Sequence, residues 1–342
     1  MHTWSAPTDW IHVTSFDAHT GGEPLRVITS GFPPLPGDTI LAKRRVAKEQ
    51  FDWLRTALMW EPRGHADMYG CIVTEPVTPD GDLGVLFMHN AGFSTMCGHG
   101  VIALATVALD TGMIDKPGDA PVIRMDTPAG RVTATAHRQN GRVVSVSFEN
   151  VPSFVFALNE VADVPGLGRV RYDVAFGGAF YAFVRADDVG LGDLTGKEYR
   201  ALIDVGMRIK RTVMATLPIH HPVEEDLGFL YGVIFVGPPH DPAHHSRNVC
   251  MFADGEIDRS PTGTGVSARA ALHYARREIG RGEPFVVESI LGTCFTGEVV
   301  APIPFGPYNA VIPKVTGAAH LCGQNTWWID PADPLRTGFM LR

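Results

Sequence analysis

The chain repeats itself once. Four short segments of its first half return in its second half, in the same order. His19-Thr20-Gly21-Gly22-Glu23-Pro24 precedes an apolar stretch at 25–28, and Phe176-Gly177-Gly178-Ala179-Phe180 precedes another at 181–184. Met68-Tyr69-Gly70-Cys71-Ile72-Val73 resembles Leu230-Tyr231-Gly232-Val233-Ile234-Phe235. Met96-Cys97-Gly98-His99-Gly100 is matched by Asp258-Arg259-Ser260-Pro261-Thr262-Gly263-Thr264-Gly265, and each turn runs straight into an Ala-rich apolar helix, at 101–109 and 266–275. Gly-containing strand pairs follow, at Thr127-Pro128-Ala129-Gly130-Arg131-Val132 and Thr296-Gly297-Glu298-Val299. A Gly-Gly or Tyr-Gly pair recurs by chance. Four echoes in one order, at similar spacing, point to a duplicated unit. A repeat of this length is a whole domain and not one rung of a solenoid. Two domains are therefore expected, 1–160 and 161–324, with 325–342 rejoining the first.

The remaining pattern is mixed α/β. Residues 143–148 alternate apolar and polar, as a half-buried strand does, after an Asn140-Gly141 turn signal. Residues 198–216 place Leu202, Val205, Ile209 and Val213 on one helical face. Residues 237–248 are rich in Pro and His and read as a loop.

Length agrees with two domains, since 342 residues exceed what one core usually serves. A net charge of -8 argues against a nucleic-acid partner. No apolar run is long enough to span a membrane. Residues 1–11 lack the basic and apolar regions of a secretory signal. The five cysteines (71, 97, 250, 294, 322) are odd in number and show neither disulfide nor metal-ligand spacing. A reducing cytoplasm is the expected compartment.

The two turns carry the chemistry. A Gly-rich turn at a helix N-terminus offers unpaired backbone N–H groups and a positive dipole end, a seat for an anion. One turn holds the Cys97 thiol and the other the Thr262 hydroxyl. At a helix N-terminus a thiol pKa is expected to fall below the reference of about 8.5. A buried cysteine used only for packing is the competing reading, and it is the one assigned to Cys71, Cys250, Cys294 and Cys322. If both turns face one cleft between domains, two helix ends converge on one carboxylate, and on the enediolate formed when the neighbouring carbon loses a proton. Asp258 is then placed to pair with a substrate ammonium, or else simply caps the turn.

These segments resemble the two signatures of the proline racemase family, cofactor-independent enzymes with the fold of diaminopimelate epimerase. The likeness extends to residues 19–26, to Glu61-Pro62-Arg63-Gly64-His65, to Met68-Tyr69-Gly70 and to Gly177-Gly178-Ala179-Phe180-Tyr181. It implies two pseudo-symmetric mixed α/β domains, a small imino-acid substrate, no cofactor or metal, and a homodimer. Racemases and hydroxyproline epimerases carry a second cysteine where Thr262 stands. The Cys-plus-Thr version resembles the trans-3-hydroxy-L-proline dehydratases. That likeness makes Cys97 the proton acceptor, with Gly98, His99, Asp258, Thr262, Gly263 and Thr264 contacting substrate.

Racemisation needs an acid and a base on opposite faces of the α-carbon, and a threonine hydroxyl is too weak for either role. Loss of water from trans-3-hydroxy-L-proline is a syn process, so a single thiol on one face can serve it. The alternatives are an epimerase or racemase of proline-like substrates, and a binding protein that has lost catalysis. His220-His221 and His244-His245 lack carboxylate or cysteine partners at ligand spacing, so no metal is expected. Gly263-Thr264-Gly265 lacks the rest of a dinucleotide fingerprint.

Overall fold

The computed structural model describes residues 4–341. The duplication seen in the sequence is a duplication of strand pairing. Glu23–Ser30 pairs in parallel with Tyr69–Thr74, just as Phe180–Arg185 pairs in parallel with Leu230–Gly237. Tyr69–Thr74 then runs antiparallel to Leu83–His89, and Leu230–Gly237 antiparallel to Ser246–Phe252. Leu83–His89 pairs in parallel with Val122–Thr127, and Ser246–Phe252 with Phe285–Glu288. Each series continues through two more antiparallel strands, Gly130–Gln139 and Arg142–Glu149 in the first half, Cys294–Phe305 and Tyr308–Gly317 in the second.

The halves are also stitched together. Tyr308–Gly317 pairs with Arg142–Glu149. The outermost strands reach across: Ala319–Ile329 lies against Ile11–Thr20, while Phe154–Val164 lies against Gly168–Phe176. The expected boundaries at 160 and 325 fall inside these two strands.

Five α-helices are present among the described residues: α1 (Ile40–Gln50), α2 (Asp52–Met59), α3 (Gly98–Asp110), α4 (Tyr199–Thr216) and α5 (Gly263–Ala275). Helices α3 and α5 are the paired helices of the two repeats. Every residue of α3 except Asp110 is buried, and every residue of α5 except Tyr274 and Ala275. Helix α3 is apolar nearly all round and so belongs inside a core; α5 also buries Arg269 and His273, whose side chains meet at 3.0 Å. Each fully buried Val, Ile or Leu contributes about 1.5–3 kcal/mol, so these helix ends are held by packing along their whole length. Helix α4 is amphipathic and buries Leu202, Val205, Ile209 and Val213.

The reading of 237–248 as a loop needs correction. The strands Leu230–Gly237 and Ser246–Phe252 leave only 238–245 as the connection. Arg247 and Asn248 look like loop residues but are buried in a strand, because each has a partner. Arg247 donates to Glu288 at 2.6 Å, and Asn248 Nδ2 to the Pro261 carbonyl at 3.1 Å.

Candidate active site

Cys97 is the N-cap of α3, in an extended conformation that lets Sγ accept from the Gly100 N–H at 3.2 Å. Thr262 is the N-cap of α5, with φ 65° and ψ 90°. A β-branched residue with positive φ costs on the order of 1–3 kcal/mol, and such strain collects at functional sites. The Thr262 hydroxyl is buried without a hydrogen bond of normal geometry. It lies near enough to Asp258 and Cys250 to favour their anionic forms.

All seven residues singled out from the sequence line one cavity: Cys97, Gly98, His99, Asp258, Thr262, Gly263 and Thr264. The Gly-Gly turns close it by packing on these segments. Gly21 and Gly22 lie against Ser260, Pro261 and Arg259, and Gly178 against Met96 and Thr264. The void is about 20 Å³, room for about one water. First-turn N–H groups of a helix have no carbonyl partner within it. Here two such ends, at Gly98-His99 and Gly263-Thr264, border the same void.

His99 is fully defined by its neighbours. Its Nε2 lies 3.2 Å from the Pro24 carbonyl, which only accepts, so Nε2 carries the hydrogen. Its Nδ1 therefore presents a lone pair to Cys97 Sγ at 3.2 Å. Burial, aided by the positive charge of Arg259, pushes its pKa down to about 3 against the pull of Pro24, so the ring is neutral.

The expected fall in the Cys97 pKa is reversed. Burial is the largest effect and raises the thiol well above its ordinary value; the Gly100 N–H lowers it, and the negative charge of Asp258 raises it further. Desolvation of a thiolate in a closed void outweighs one N–H and a helix dipole. A substrate ammonium beside Asp258 would cancel that opposing charge. Asp258 accepts from the Ser260 N–H at 2.8 Å, and burial raises its pKa to about 6.

The cavity has further walls. Glu23, Tyr69, Tyr181, Tyr231, Cys250 and Phe252 all line it. Tyr69 and Tyr231 belong to one of the sequence echoes, and their hydroxyls meet at 3.2 Å. The echo was the signal that could have found them. Cys250, expected only to pack, faces the void. Cys294 and Cys322, also expected to pack, are both exposed; Cys71 alone of the four is simply a core residue. His244 gains partners that linear spacing hid, Glu288 at 2.9 Å and Cys294 at 3.9 Å. Arg247 also occupies Glu288, and no group of three or more His, Cys, Asp or Glu among the described residues is arranged to hold a metal ion. Nor is any described helix long and apolar enough to cross a membrane.

A model of the proline racemase family matches residues 15–340. The chain belongs to the proline racemase family. A Colwellia psychrerythraea relative named trans-3-hydroxy-L-proline dehydratase is 48% identical, over 97% of this chain and 94% of its own length. A Burkholderia multivorans relative named 3-hydroxyproline 2-epimerase is 44% identical, over 96% of this chain and 98% of its own. Among solved structures, a hydroxyproline epimerase from Agrobacterium vitis with bound trans-4-hydroxy-L-proline matches with a TM-score of 0.91 at 30% identity, covering 97% of this chain and 96% of that one. The mixed α/β fold reaches further, to a Bacillus anthracis phenazine biosynthesis protein of the PhzF family, at TM-score 0.56 and 10% identity over 94% and 99% of the two chains.

Proposed function

We propose that this member of the family removes water from trans-3-hydroxy-L-proline, giving Δ1-pyrroline-2-carboxylate. The observation that carries the reading is the unequal pair of helix caps: a thiol at α3 and a hydroxyl at α5, both on one cavity. The 48% identical relative of that name supports it.

In this reading the substrate carboxylate sits on the N–H groups at Gly98-His99 and Gly263-Thr264, and its ammonium pairs with Asp258. As the α-carbon loses its proton, charge flows into the carboxylate, where fixed donors stabilise the enediolate without reorganising. Cys97 takes the proton. The 3-hydroxyl leaves from the same face, so no base is needed on the Thr262 side. Thr262 hydrogen-bonds and excludes water. The enamine product tautomerises to the cyclic imine. The two halves act as domains, the first completed by Ala319–Ile329 and the second opening with Phe154–Val164, and they part to admit substrate. Family resemblance alone carries the rest of the reading, a cytoplasmic homodimer; sedimentation of the purified protein tests the oligomeric half.

A second reading, epimerisation at the α-carbon, has one observation behind it. Cys250 places another thiol on the cavity near Thr262, and the 44% identical relative is named an epimerase. Incubation with trans-3-hydroxy-L-proline separates the two. Dehydration yields an imine that borohydride reduces to proline. Inversion at the α-carbon without imine would sink the dehydratase reading.

A further inference from the structure

Hydroxide is a poor leaving group, so elimination of water needs an acid as well as a base. The residues around Cys97 are mostly unsuited to that task. His99 is neutral, and its one N–H is given to the Pro24 carbonyl. The hydroxyl of Tyr69 is engaged with Ser94 at 2.6 Å and Tyr231 at 3.2 Å. That of Tyr181 is engaged with Thr264 at 2.7 Å. Asp258 is committed to the substrate ammonium, and Thr262 is too weak an acid. Cys250 is a thiol whose pKa burial raises well above its ordinary value, too weak an acid for the task, and one buried carboxyl on the cavity has no role so far.

We propose that Glu23 is the acid that protonates the departing 3-hydroxyl. This rests on the dehydration reading. The Glu23 side chain is wholly buried, and its two oxygens are treated differently. Oε2 accepts from the Arg259 backbone N–H at 2.8 Å and faces the Arg259 guanidinium at 3.4 Å. Oε1 is buried with no hydrogen-bond partner. A carboxyl held this way carries its proton on the free oxygen, because the anchored one is already an acceptor. An ionised carboxylate would leave Oε1 charged, desolvated and unpaired, which is far costlier than a neutral O–H. Burial and the negative charge of Asp258 accordingly push Glu23 well above the usual carboxylate range, more strongly than Arg259 pulls it down.

Placement puts Glu23 between the two turns. Glu23 is joined directly to Pro24, whose carbonyl fixes His99, whose Nδ1 meets Cys97, while its carboxyl is anchored on Arg259 of the Thr262 turn. A syn elimination then requires the free Oε1 to deliver its proton on the face that Cys97 deprotonates. The step balances. Cys97 enters the step as its thiolate, the thiol proton having left to solvent before the cavity closes on substrate, and the Gly100 N–H supports the anion. The Cα–H bond breaks and its proton goes to that thiolate. The electron pair forms the C2=C3 double bond as the C3–O bond breaks. The Glu23 Oε1 proton joins the leaving oxygen, and water departs. Return of one proton from Cys97 to Glu23 restores the starting state.

The test is Glu23→Gln in the full chain. The amide keeps the shape and can still accept from Arg259, but it has no acidic proton. Two substrates are compared: trans-3-hydroxy-L-proline, and its 3-fluoro analogue with fluorine in place of the hydroxyl. Fluoride needs less protonation to leave. The variant should lose about 10²-fold or more on the hydroxy substrate and far less on the fluoro substrate. Glu23→Asp, which keeps an acid on a shorter arm, should retain more hydroxy-substrate activity than Glu23→Gln, and it carries the comparison if the amide variant does not fold. Equal losses on both substrates, in a variant whose circular dichroism matches wild type, would reduce Glu23 to an anchor for Arg259 and overturn the assignment. So would undiminished dehydration. A wild type that forms no imine from the hydroxy substrate overturns the dehydration reading itself, and the assignment falls with it.

Discussion

Gly98 and Gly263 meet backbone to backbone across the cavity, at the first positions of α3 and α5. A Cβ built on Gly98 would lie 2.6 Å from the Gly263 Cα, and one built on Gly263 would lie 2.8 Å from the Gly98 Cα. Neither residue has a left-handed backbone, so contact and not conformation demands glycine here. The contact sets the separation of the two helix N-termini, and in the proposed reading that separation sets the size of carboxylate they share.

Gly98→Ala should therefore force the two ends apart. Backbone has nowhere to yield except by opening the cavity. The expected loss is about 1–3 kcal/mol of stability and roughly 10²-fold in kcat/KM, since a displacement near 1 Å is enough for that. Thermal melting and steady-state kinetics check both. An unchanged kcat/KM would mean the helix ends do not jointly hold the substrate.

Asp258 gives a pH dependence with opposite signs for activity and stability. Its pKa is about 6, raised from an ordinary 3.8. The ionised form is the one that pairs with an ammonium. kcat/KM should fall as pH drops through about 6, approaching tenfold per unit below it. Folding responds the other way. A carboxyl whose folded pKa is raised favours the native state most below its unfolded value, and that stability is lost as pH rises through the folded value. Asp258→Asn should flatten this part of the melting-temperature profile and cost most of kcat/KM. A profile that is flat through pH 6 in the wild type would remove Asp258 from substrate binding.

Cys97→Ser should lower kcat by about 10³-fold or more with melting unchanged, because serine is barely ionised near neutral pH. Alkylation adds a check on the closed cavity. Cys294 and Cys322 are exposed while Cys97 is buried with a raised pKa. Iodoacetamide should label the two exposed thiols first, and pyrrole-2-carboxylate should slow only the cavity thiols, Cys97 and Cys250. Cys97 labelling ahead of both would show that the cavity is open most of the time.

What could be seen from the sequence, and what could not, divides along a physical line. The paired turns stood out because Gly, Cys and Thr at helix starts act locally: caps and close approaches are decided within a few residues. The duplication was visible for the same reason. Burial is not local. The helix end beside Cys97 could be read from Gly98-His99-Gly100, but the void that desolvates the thiol is closed by Tyr69, Tyr231 and Phe252 from distant strands. Glu23 sits in a segment that was noticed, at a turn where glutamate usually faces water. Only the fold puts Arg259 of the other half on one of its oxygens. Cys250 has no glycines around it and gave no local sign at all. Arg247 and Asn248 misled in the opposite direction, since their partners Glu288 and Pro261 lie outside the segment.

Thr262 should decide the type of reaction. Its backbone is already in a strained conformation, with φ 65°, and its buried hydroxyl makes no hydrogen bond of normal geometry. A thiol placed there would border the same cavity as Cys97. Thr262→Cys then gives the far face a group able to donate and accept a proton, which a hydroxyl cannot do near neutral pH. Proline and 4-hydroxyproline have no 3-hydroxyl to lose, so elimination cannot compete on them. On these substrates the variant should gain measurable α-epimerisation, read as deuterium incorporation at the α-carbon in heavy water together with chiral analysis. Dehydration of the 3-hydroxy substrate should persist at a reduced rate, because Cys97, Asp258 and both helix ends remain. Efficient racemisation of proline by the wild type would contradict the one-base argument outright, and would turn attention to Cys250 as the second acid. If Thr262→Cys gains nothing while still dehydrating, the geometry of the second turn separates the two activities, and the missing thiol alone does not.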